Sequence, residues 1–382
     1  MLFYYNILTE KMHILFCFFS GISRKNSPLE LCNLSNRAGG ADEILEKGGV
    51  YNLPGRRYNS SNPFEMTIKL QRERQTPIMI QFFTPELTDR DLVDSYFLPS
   101  GYRCCEYAFT NIFAWRDAFH EEITAYAGYL TVRCAGPRYF WPAGKGDIRP
   151  MLQALELDAK AQGKPLSFYS LTEEEKDRLE QLYPGKFTFT LARDGFDYCY
   201  DIDRLADLTG KKLHAKRNHI HRFEEHYPDW TVEEISAENL PECIRLNQDW
   251  EDAAAAAGHE DWNAHEGCEA LRRCLIHQQE LGLEGLLLRA GGKPVAFTAG
   301  KSLGGDTYDV FFEKAYSEIQ GAYPMINREF ARWIRKNHPE IRYLNREDDM
   351  GEENLRKAKL SYHPDLLLEK YIAELKEGET LQ

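Results

Sequence analysis

Three neighbouring carboxylates near the carboxyl terminus are the side chains best suited to carry chemistry. Glu347, Asp348 and Asp349 follow Asn345 and Arg346 at the end of a strand predicted over residues 342–345. Charged groups collected at a strand end are common in binding sites. The acids could hold an amine, and their mutual repulsion could raise one pKa enough for a general base. Glu347 and Asp349 are therefore our candidates for base and amine anchor. The alternative is a helix N-terminus at which acids favour the dipole.

A short turn before a predicted helix could bind a phosphate. Gln320-Gly321-Ala322-Tyr323 follows a strand predicted over 307–312, and we expect the helix to begin at Pro324, because proline is favoured at a first helical position. Free N–H groups at a helix N-terminus suit a phosphate, and glycine allows a close backbone approach. GNAT-type acetyltransferases hold the pyrophosphate of coenzyme A at such a turn, although only the first three residues match theirs. An ordinary helix start is the alternative.

A basic segment between the two halves of the chain favours an anionic partner. Residues 211–222 contain five lysines and arginines and three histidines, without an acid. On a helix, Lys212 and Lys216 would share one side, and Arg217 and Asn218 complete the strip. In a chain with a net charge of −13, this basic strip suits a phosphate backbone, a lipid head group or a cofactor phosphate. A solvated helix face is the alternative.

The sequence gives only weak evidence for a metal site or a catalytic nucleophile. His265-x-x-Cys268 and Cys274-x-x-His277 resemble two halves of a zinc site, but the gap between them is short and the segment is predicted as one helix. Nine cysteines without a C-x-x-C pair do not form a disulfide framework, which favours a reducing cytoplasm. The sequence contains no Walker, H-E-x-x-H, nucleophile-elbow or dinucleotide motif. We expect no metal and no tightly bound cofactor.

Two α+β domains of one type are predicted to position these residues. From Met79 the chain runs through helices, an antiparallel meander, a helix, strands and another helix, and a similar order begins after residue 225. We place the first domain at 79–210, and the basic connecting helix with the second domain at 211–382. Each is expected to have a mostly antiparallel sheet flanked by helices. Residues 366–375 are predicted to be helical. Strands are predicted over 80–83, 123–134, 187–191 and 197–201.

Length and charge narrow the class of protein. A chain of 382 residues suits two domains, and its acidic balance argues against a protein covered in nucleic acid. No segment approaches the run of about 20 apolar residues that spans a membrane. Residues 1–78 show neither helix nor strand periodicity. We interpret them as a disordered extension, or as a gene start placed upstream of a true start at Met66 or Met79.

Three blocks of the sequence resemble a bacterial family, that of the C-terminal domain of phosphatidylglycerol lysyltransferase. The first is Lys211-Lys212-x-x-x-Lys216-Arg217-Asn218, the second is Gln320-Gly321-Ala322-Tyr323 with Asn327, and the third runs from Asn345 through Lys359 to Pro364. The resemblance covers about residues 79–375 and implies tandem domains of the GNAT acetyltransferase fold. A tyrosine that closes the last helix of that fold often protonates the leaving thiolate, which makes Tyr362 the candidate acid; a core tyrosine is the alternative. Further pocket candidates are Asn327, Asn345, Arg346 and Lys359.

The resemblance implies acyl transfer but not a particular donor. The lysyltransferase passes an aminoacyl group from charged tRNA to a lipid hydroxyl, and it has membrane helices that this sequence does not predict. We expect a cytoplasmic acyl or aminoacyl transferase with acyl-CoA or aminoacyl-tRNA as donor. An amine or hydroxyl on a small molecule or lipid would be the acceptor. The alternatives are a non-catalytic protein of this fold that binds CoA, a nucleotide or RNA, and a Fem-type peptidoglycan-precursor aminoacyltransferase.

Overall fold

The chain forms two compact units, Met1–Arg74 and Gln75–Gln382. The structure, a computed structural model, describes residues 51–53, 56–58, 79–256 and 262–381. In the first unit, Tyr51–Leu53 (β1) and Arg56–Tyr58 (β2) pair antiparallel. The rest of our interpretation of residues 1–78 lies outside the described residues. The second unit contains all the residues predicted to form the site.

The amino-terminal half of the second unit alternates helices and strands. The strands predicted over 187–191 and 197–201 are confirmed. The helices are Arg90–Phe97 (α1), Phe109–Phe119 (α2), Arg149–Ala161 (α3), Glu173–Leu182 (α4) and Ile202–Asp207 (α5). The strands are Glu122–Tyr126 (β3), Tyr129–Cys134 (β4), Arg138–Phe140 (β5), Ala143–Gly144 (β6), Ser167–Leu171 (β7), Phe187–Leu191 (β8) and Asp197–Asp201 (β9).

The carboxyl-terminal half begins with the predicted basic helix. Its helices are His214–His226 (α6), Leu240–Ala256 (α7), Trp262–Ile276 (α8), Gln278–Leu281 (α9), Ala322–Asn337 (α10) and Glu353–Leu360 (α11). Its strands are Thr231–Glu234 (β10), Glu284–Ala290 (β11), Lys293–Ser302 (β12), Thr307–Ala315 (β13), Tyr343–Asn345 (β14), Leu366–Leu368 (β15) and Tyr371–Leu375 (β16).

Two mixed sheets carry the fold, each with one parallel pair of strands. The first sheet has the order β3-β4-β5-β7-β16-β8, with β6 against β4, and the second has the order β10-β11-β12-β13-β14-β9-β15. The parallel pairs are β5 with β7 and β13 with β14, and the remaining pairs are antiparallel. This architecture confirms the predicted α+β class.

The two halves exchange strands. β9 belongs to the amino-terminal half but lies in the second sheet between β14 and β15. β16 crosses in the other direction and lies in the first sheet between β7 and β8. The division at residue 210 therefore describes the order of the chain, whereas each sheet is completed by a strand from the other half.

The helix predicted over 366–375 is wrong, because these residues form β15 and β16. The run Leu366-Leu367-Leu368 has a good helix propensity. Partners in both sheets override it, since β15 pairs with β9 and β16 pairs with β7 and β8. The residues between the two strands, Glu369 and Lys370, form the crossover from one sheet to the other.

Two predicted strands also differ from the structure. The strand predicted over 80–83 is reduced to a single bridge between Phe83 and Ile123. The strand predicted over 123–134 is a hairpin of β3 and β4, because Ala127 and Gly128 turn the chain with φ values of +51° and +85°.

Helices cover both faces of the second sheet. On one face, α6 and α10 pack over Tyr200, Leu288 and Tyr308. On the other face, α7 and α8 pack over Phe297 and neighbouring leucines. Within the described ranges, no helix has both the length and the apolar character needed to cross a bilayer.

Candidate active site

A gap between two parallel strands frames the site. β13 and β14 pair only over Thr307–Asp309 and Tyr343–Asn345, after which β13 continues and the residues that follow β14 no longer pair with it. Across the gap, the Arg346 Nη2 donates to Glu313 Oε1 at 2.9 Å. A bulge interrupts the pairing of β13 with β12 at the same level, and a bulge leaves a residue unpaired and redirects its neighbours. We call this gap the strand split.

The loop after β14 is held in shape by its own side chains. Asn345, Asp348 and Asp349 each accept the backbone N–H two residues along, at 2.7, 3.2 and 3.0 Å. Glu347 and Met350 have φ values of +56° and +48°, a left-handed conformation that costs about 1–3 kcal/mol for such residues. Strain of this kind is characteristic of active sites, where the surrounding structure enforces it.

Asp309 is a functional candidate that the sequence analysis missed. Its side chain is fully buried at the point where β13 and β14 separate, and neither carboxyl oxygen has a hydrogen-bond partner among the described residues. An unpaired buried polar group is costly, so its retention calls for a ligand or a functional role. The available signal was an acid inside the apolar run Tyr308-Asp309-Val310-Phe311-Phe312.

Burial and crowding make three carboxyls at the split hard to ionise. Burial, with smaller contributions from neighbouring acids, raises the pKa of Glu347 to about 8 and that of Asp348 to about 7. Burial and the nearby Glu347 raise the pKa of Asp309 well above its ordinary range. Asp309 and Glu347, which we call the carboxyl pair, therefore resist ionisation in the folded chain and would ionise beside an incoming cation.

Asp349, our second candidate base, has no lone pair left for a substrate. Tyr198 Oη donates to its Oδ2 at 2.5 Å, Arg193 Nη1 at 3.1 Å and Arg356 Nε at 2.9 Å, while Arg356 Nη2 donates to Oδ1 at 2.7 Å. Burial opposes its ionisation, but the bonds from Arg356, Tyr198 and the Gly351 N–H outweigh it and hold its pKa below the ordinary value. Its contacts are those of a structural carboxylate that anchors the loop.

Lys359 binds the backbone of the same loop. Its Nζ donates to the carbonyl oxygens of Arg346, at 2.6 Å, and Asp348. Burial lowers its pKa. This predicted pocket residue therefore fixes the backbone of the loop by binding two of its carbonyl oxygens.

A buried cluster links the split to the first sheet. Lys370 Nζ donates to both Glu106 oxygens at 2.7 Å and to Asp197 Oδ1 at 2.6 Å. Cys104, Glu106 and Asp197 have ligand atoms within 4.8 Å of one another, but the ammonium already lies between the two carboxylates, and burial raises the pKa of the Cys104 thiol. The donor set fits an internal ion cluster better than a metal ion, which would meet a protonated thiol.

The opposite face of the split carries cations. Lys216 Nζ lies 3.9 Å from the centre of the Tyr362 ring, and burial and the neighbouring Arg346 lower its pKa to about 8. Among the described residues, Arg346 Nη1 and Asn327 Oδ1 are buried without a hydrogen-bond partner, although Asn327 Nδ2 donates to Glu313. Lys216 and Arg346 thus share the single carboxylate of Glu313, which leaves this face with an excess of positive charge.

Tyr362 lies on that cationic face and is 4% exposed. Burial raises its pKa, an effect that Arg346 partly offsets, and the Arg346 guanidinium lies 4.8 Å from the centre of its ring. The phenol is neutral at physiological pH and packs on Tyr200 with ring centres 6.3 Å apart. It is at once a core residue and the nearest proton donor to the cations.

The turn at Gln320-Gly321-Ala322-Tyr323 differs from our expectation. α10 begins at Ala322, so Pro324 is its third residue, and Gly321 precedes it with a φ of +91°. A Cβ at Gly321 would lie 2.5 Å from the His219 carbonyl oxygen, which means that α6 packs against the turn. The Ala322 N–H donates to Ile319 and Pro324 has none, so few donors remain for a phosphate.

The basic strip separates into residues with different surroundings. Lys212 and Asn218 are exposed, whereas Lys216 turns towards the split. Arg217 Nη1 donates to the carbonyl oxygens of Leu208 and, at 2.8 Å, Gly210, and so caps the end of α5. The strip is therefore not one continuous anion-binding face.

The split gathers only part of the predicted site. The predicted residues that meet there are Lys216, Asn327, Asn345, Arg346, Glu347, Lys359 and Tyr362. The exposed and capping members of the strip lie elsewhere, and Gly321 at the start of α10 packs against α6.

Comparisons with known proteins identify relatives over most of the chain. A conserved protein of unknown function from Bacteroides thetaiotaomicron is 37% identical, with a TM-score of 0.73 over 78% of this chain and 100% of that one. A structure of L-PGS from Bacillus licheniformis shares the fold at 15% identity, with a TM-score of 0.54 over 76% of this chain and 93% of that one.

An uncharacterised protein of Mycoplasmoides gallisepticum is 25% identical over 183 residues, which are 47% of this chain and 56% of that relative. The chain thus spans little more than half the length of that relative. The family described as phosphatidylglycerol lysyltransferase, C-terminal, matches residues 100–374. The chain belongs to this family, as the resemblance implied, and it shares the fold of the L-PGS structure.

Proposed function

We propose that the chain is a transferase that moves an acyl or aminoacyl group from an activated donor to an amine or hydroxyl. The carboxyl pair of Asp309 and Glu347 is the observation that carries this proposal. A buried carboxyl without a partner is suited to an ammonium group, because the ligand supplies the missing donors and counter-charge. An aminoacyl donor carries such a group beside its reactive carbonyl.

Glu347 is the proposed general base. A pKa of about 8 matches proton transfer near neutral pH. As the acceptor oxygen or nitrogen bonds to the donor carbonyl carbon, its proton passes to the Glu347 carboxylate, and the bond from that carbon to the leaving oxygen or sulfur breaks. Unpaired backbone at the bulge in β13 could steady the oxyanion, and Tyr362 is the candidate that protonates the leaving group.

The geometry favours aminoacyl-tRNA over acyl-CoA as donor. The pair of Arg346 and Glu313 bridges the split, and α6 covers the turn at Gly321. The pantetheine arm of acyl-CoA would need the split to be open, and its pyrophosphate would need the turn at Gly321 to be free. An anionic donor could instead meet Lys216 and Arg346, while Lys212, on the turn before α6, and Asn218, on α6, are exposed for a second and separate contact. The family name supports an aminoacyl donor and a lipid acceptor, and we extend both to this chain as part of the proposal, together with a cytoplasmic location.

A two-donor assay tests the proposal. Charged tRNA and acyl-CoA, each with a labelled acyl group, are incubated separately with the protein and with acceptors that include anionic glycerophospholipids. We expect transfer from charged tRNA, and a loss of at least 100-fold in Asp309→Asn and Glu347→Gln. Glu318→Gln, an exposed acid after β13, is the matched control and should retain full activity.

Two other outcomes would change the assignment. Transfer from acyl-CoA that survives in both variants would contradict the proposed site and donor. Saturable binding of charged tRNA without transfer to any acceptor would favour the non-catalytic alternative.

A further inference from the structure

The crossover between the two sheets reaches the strand split through a chain of hydrogen bonds. Lys370 is the second residue of the two that join β15 to β16, and its side chain is fully buried. Its Nζ donates to Glu106 and Asp197. Asp197 Oδ2 accepts from Asn345 Nδ2 at 2.9 Å, and Asn345 Oδ1 accepts the Glu347 N–H at 2.7 Å.

We propose that Lys370 is a positioning residue of the active site. Through Asp197 and Asn345, it holds Glu347 in the left-handed conformation that places its carboxyl beside Asp309. The role of Glu347 in catalysis rests on the proposed function. The positioning itself is a property of the fold and can be measured without a substrate.

Each link in this chain has its orientation fixed by a second contact. Asn345 Nδ2 also donates to the Arg103 carbonyl oxygen at 2.7 Å. With both amide hydrogens directed there, Oδ1 faces the Glu347 N–H. Asp197 Oδ2 also accepts the Cys105 N–H at 2.9 Å. Removing the ammonium would leave two buried carboxylates without their shared counter-charge, a change that buried ion clusters tolerate poorly.

The short crossover explains why the position of Lys370 is so well defined. The Lys370 carbonyl oxygen accepts the Ala192 N–H at 2.8 Å. β15 is paired with β9 in one sheet, and β16 is paired with β7 and β8 in the other. Both ends of a two-residue segment are therefore fixed, and the side chain between them has little freedom. The strand exchange thus connects the first sheet to the active site in the second.

Lys370 also contributes to the electrostatics at Glu347. Lys359 of α11 and Lys370 of the crossover lower the pKa of Glu347, whereas Asp348 of its own loop and Asp197 of β9 raise it. The other polar or titratable groups that face Glu347 are Asp309 of β13, Cys105, Cys274 of α8 and Asn111 of α2. Removal of the Lys370 charge therefore raises the pKa of Glu347 further.

Hydrogen exchange of the full chain tests the positioning. In Lys370→Met and in Asn345→Ala, we expect the Glu347 amide to exchange at least tenfold faster than in the wild type. Arg133→Met is the matched control, because Arg133 also joins two carboxylates, Glu122 and Asp158, but in the first sheet. It should destabilise the protein without a selective effect at Glu347. If Lys370→Met does not fold, the charge-balanced variant Lys370→Met with Glu106→Gln takes its place.

A second readout separates positioning from general stability. Glycinamide binding to the wild type should strengthen as pH rises towards about 8, above which the ammonium group of glycinamide loses its own proton. In Lys370→Met, binding at pH 7 should be weaker, because Glu347 ionises less readily. Unchanged exchange at Glu347 in folded Lys370→Met and Asn345→Ala would overturn the proposal, whatever the binding result. Faster exchange in a protein that binds no amine would support the positioning and count against the proposed function, so the two failures are distinguishable.

Discussion

The carboxyl pair of Asp309 and Glu347 is expected to lower the stability of the folded protein as pH rises. Both groups bind a proton more tightly in the folded chain than in the unfolded one, because burial raises both pKa values. The folded state therefore holds more protons, and its stability falls as pH rises from about 4, the ordinary carboxyl pKa, towards about 8, the pKa of Glu347. Sites kept for function commonly carry such a cost.

Neutral variants of the pair should relieve that cost. Asp309→Asn and Glu347→Gln are each expected to stabilise the protein by about 0.5–2 kcal/mol at pH 8 and to change little at pH 4. Urea denaturation at the two pH values measures the difference. A loss of stability at pH 8 would mean that the carboxyls are held by partners that the structure does not show.

Asp349 should behave in the opposite way. Its pKa is lowered in the folded chain, so its stabilising contribution is present above the ordinary aspartate pKa of about 3.9 and is lost as pH falls through the folded value. Asp349→Asn should cost about 3–5 kcal/mol at pH 7, because it leaves Arg193 and Arg356 without their shared carboxylate. The deficit should shrink at pH 3. Glu353→Gln on the exposed side of α11 is the control and should change little.

At the scale of elements, the contact between α6 and the start of α10 decides what the Gly321 turn can do. The sequence motif favoured a phosphate site, but a motif cannot reveal which other helix packs on it. The His219 carbonyl oxygen and the Phe223 Cβ lie 2.5 and 2.9 Å from where a Cβ at Gly321 would be. Here the glycine allows two helices to approach each other.

Gly321→Ala should therefore disrupt packing. Its Cβ would collide with α6 in a left-handed backbone conformation, and we expect a loss of about 1–3 kcal/mol beyond the strain itself. Gly305→Ala is the matched control: its φ is +60°, but no atom lies within 4 Å of the new Cβ, so only the strain of about 1–2 kcal/mol applies. Equal losses in urea denaturation would contradict the packing of α6 on the turn.

For the whole molecule, the strand exchange makes the two halves one folding unit. A fragment of residues 79–210 would lack β16, which lies between β7 and β8, and would leave β9 without its sheet. We expect this fragment, and a chain ending at residue 365, to show no cooperative thermal transition in circular dichroism. Residues 79–382 should unfold in one transition. Cooperative unfolding of the fragment would show that the exchange is dispensable.

The sequence predicted local structure well and long-range pairing poorly. β8 and β9 were correct to the residue because alternation and flanking turns specify them locally. The exchange of β9 and β16 depends on partners far along the chain, so no local pattern could reveal it. Glu347 was found because its neighbours are charged. Asp309 and Lys370 were missed because a charged residue within or just after an apolar run looks like an exposed one until the fold buries it.

The two sheets differ beside their parallel pairs of strands, and this difference supports placing the proposed site in the second sheet. The first sheet has its own parallel pair, β5 and β7, but the chain beyond β5 fills the space with Trp141, whose ring centre lies 5.6 Å from that of Phe168. At the equivalent place in the second sheet lie Asp309, Glu347 and Arg346. One gap is packed as a core, and the other is lined with charges.

Calorimetric titration with an aminoacyl mimic tests the central claim most directly. Glycinamide is titrated into the wild type and Asp309→Asn at pH 7, in two buffers that differ in ionisation enthalpy. We predict binding by the wild type with release of about one proton, because the carboxyl pair must ionise to accept the ammonium, and at least a tenfold loss of affinity in the variant. Equal affinity in the two proteins, without proton release, would contradict the assignment of the carboxyl pair as the amine site.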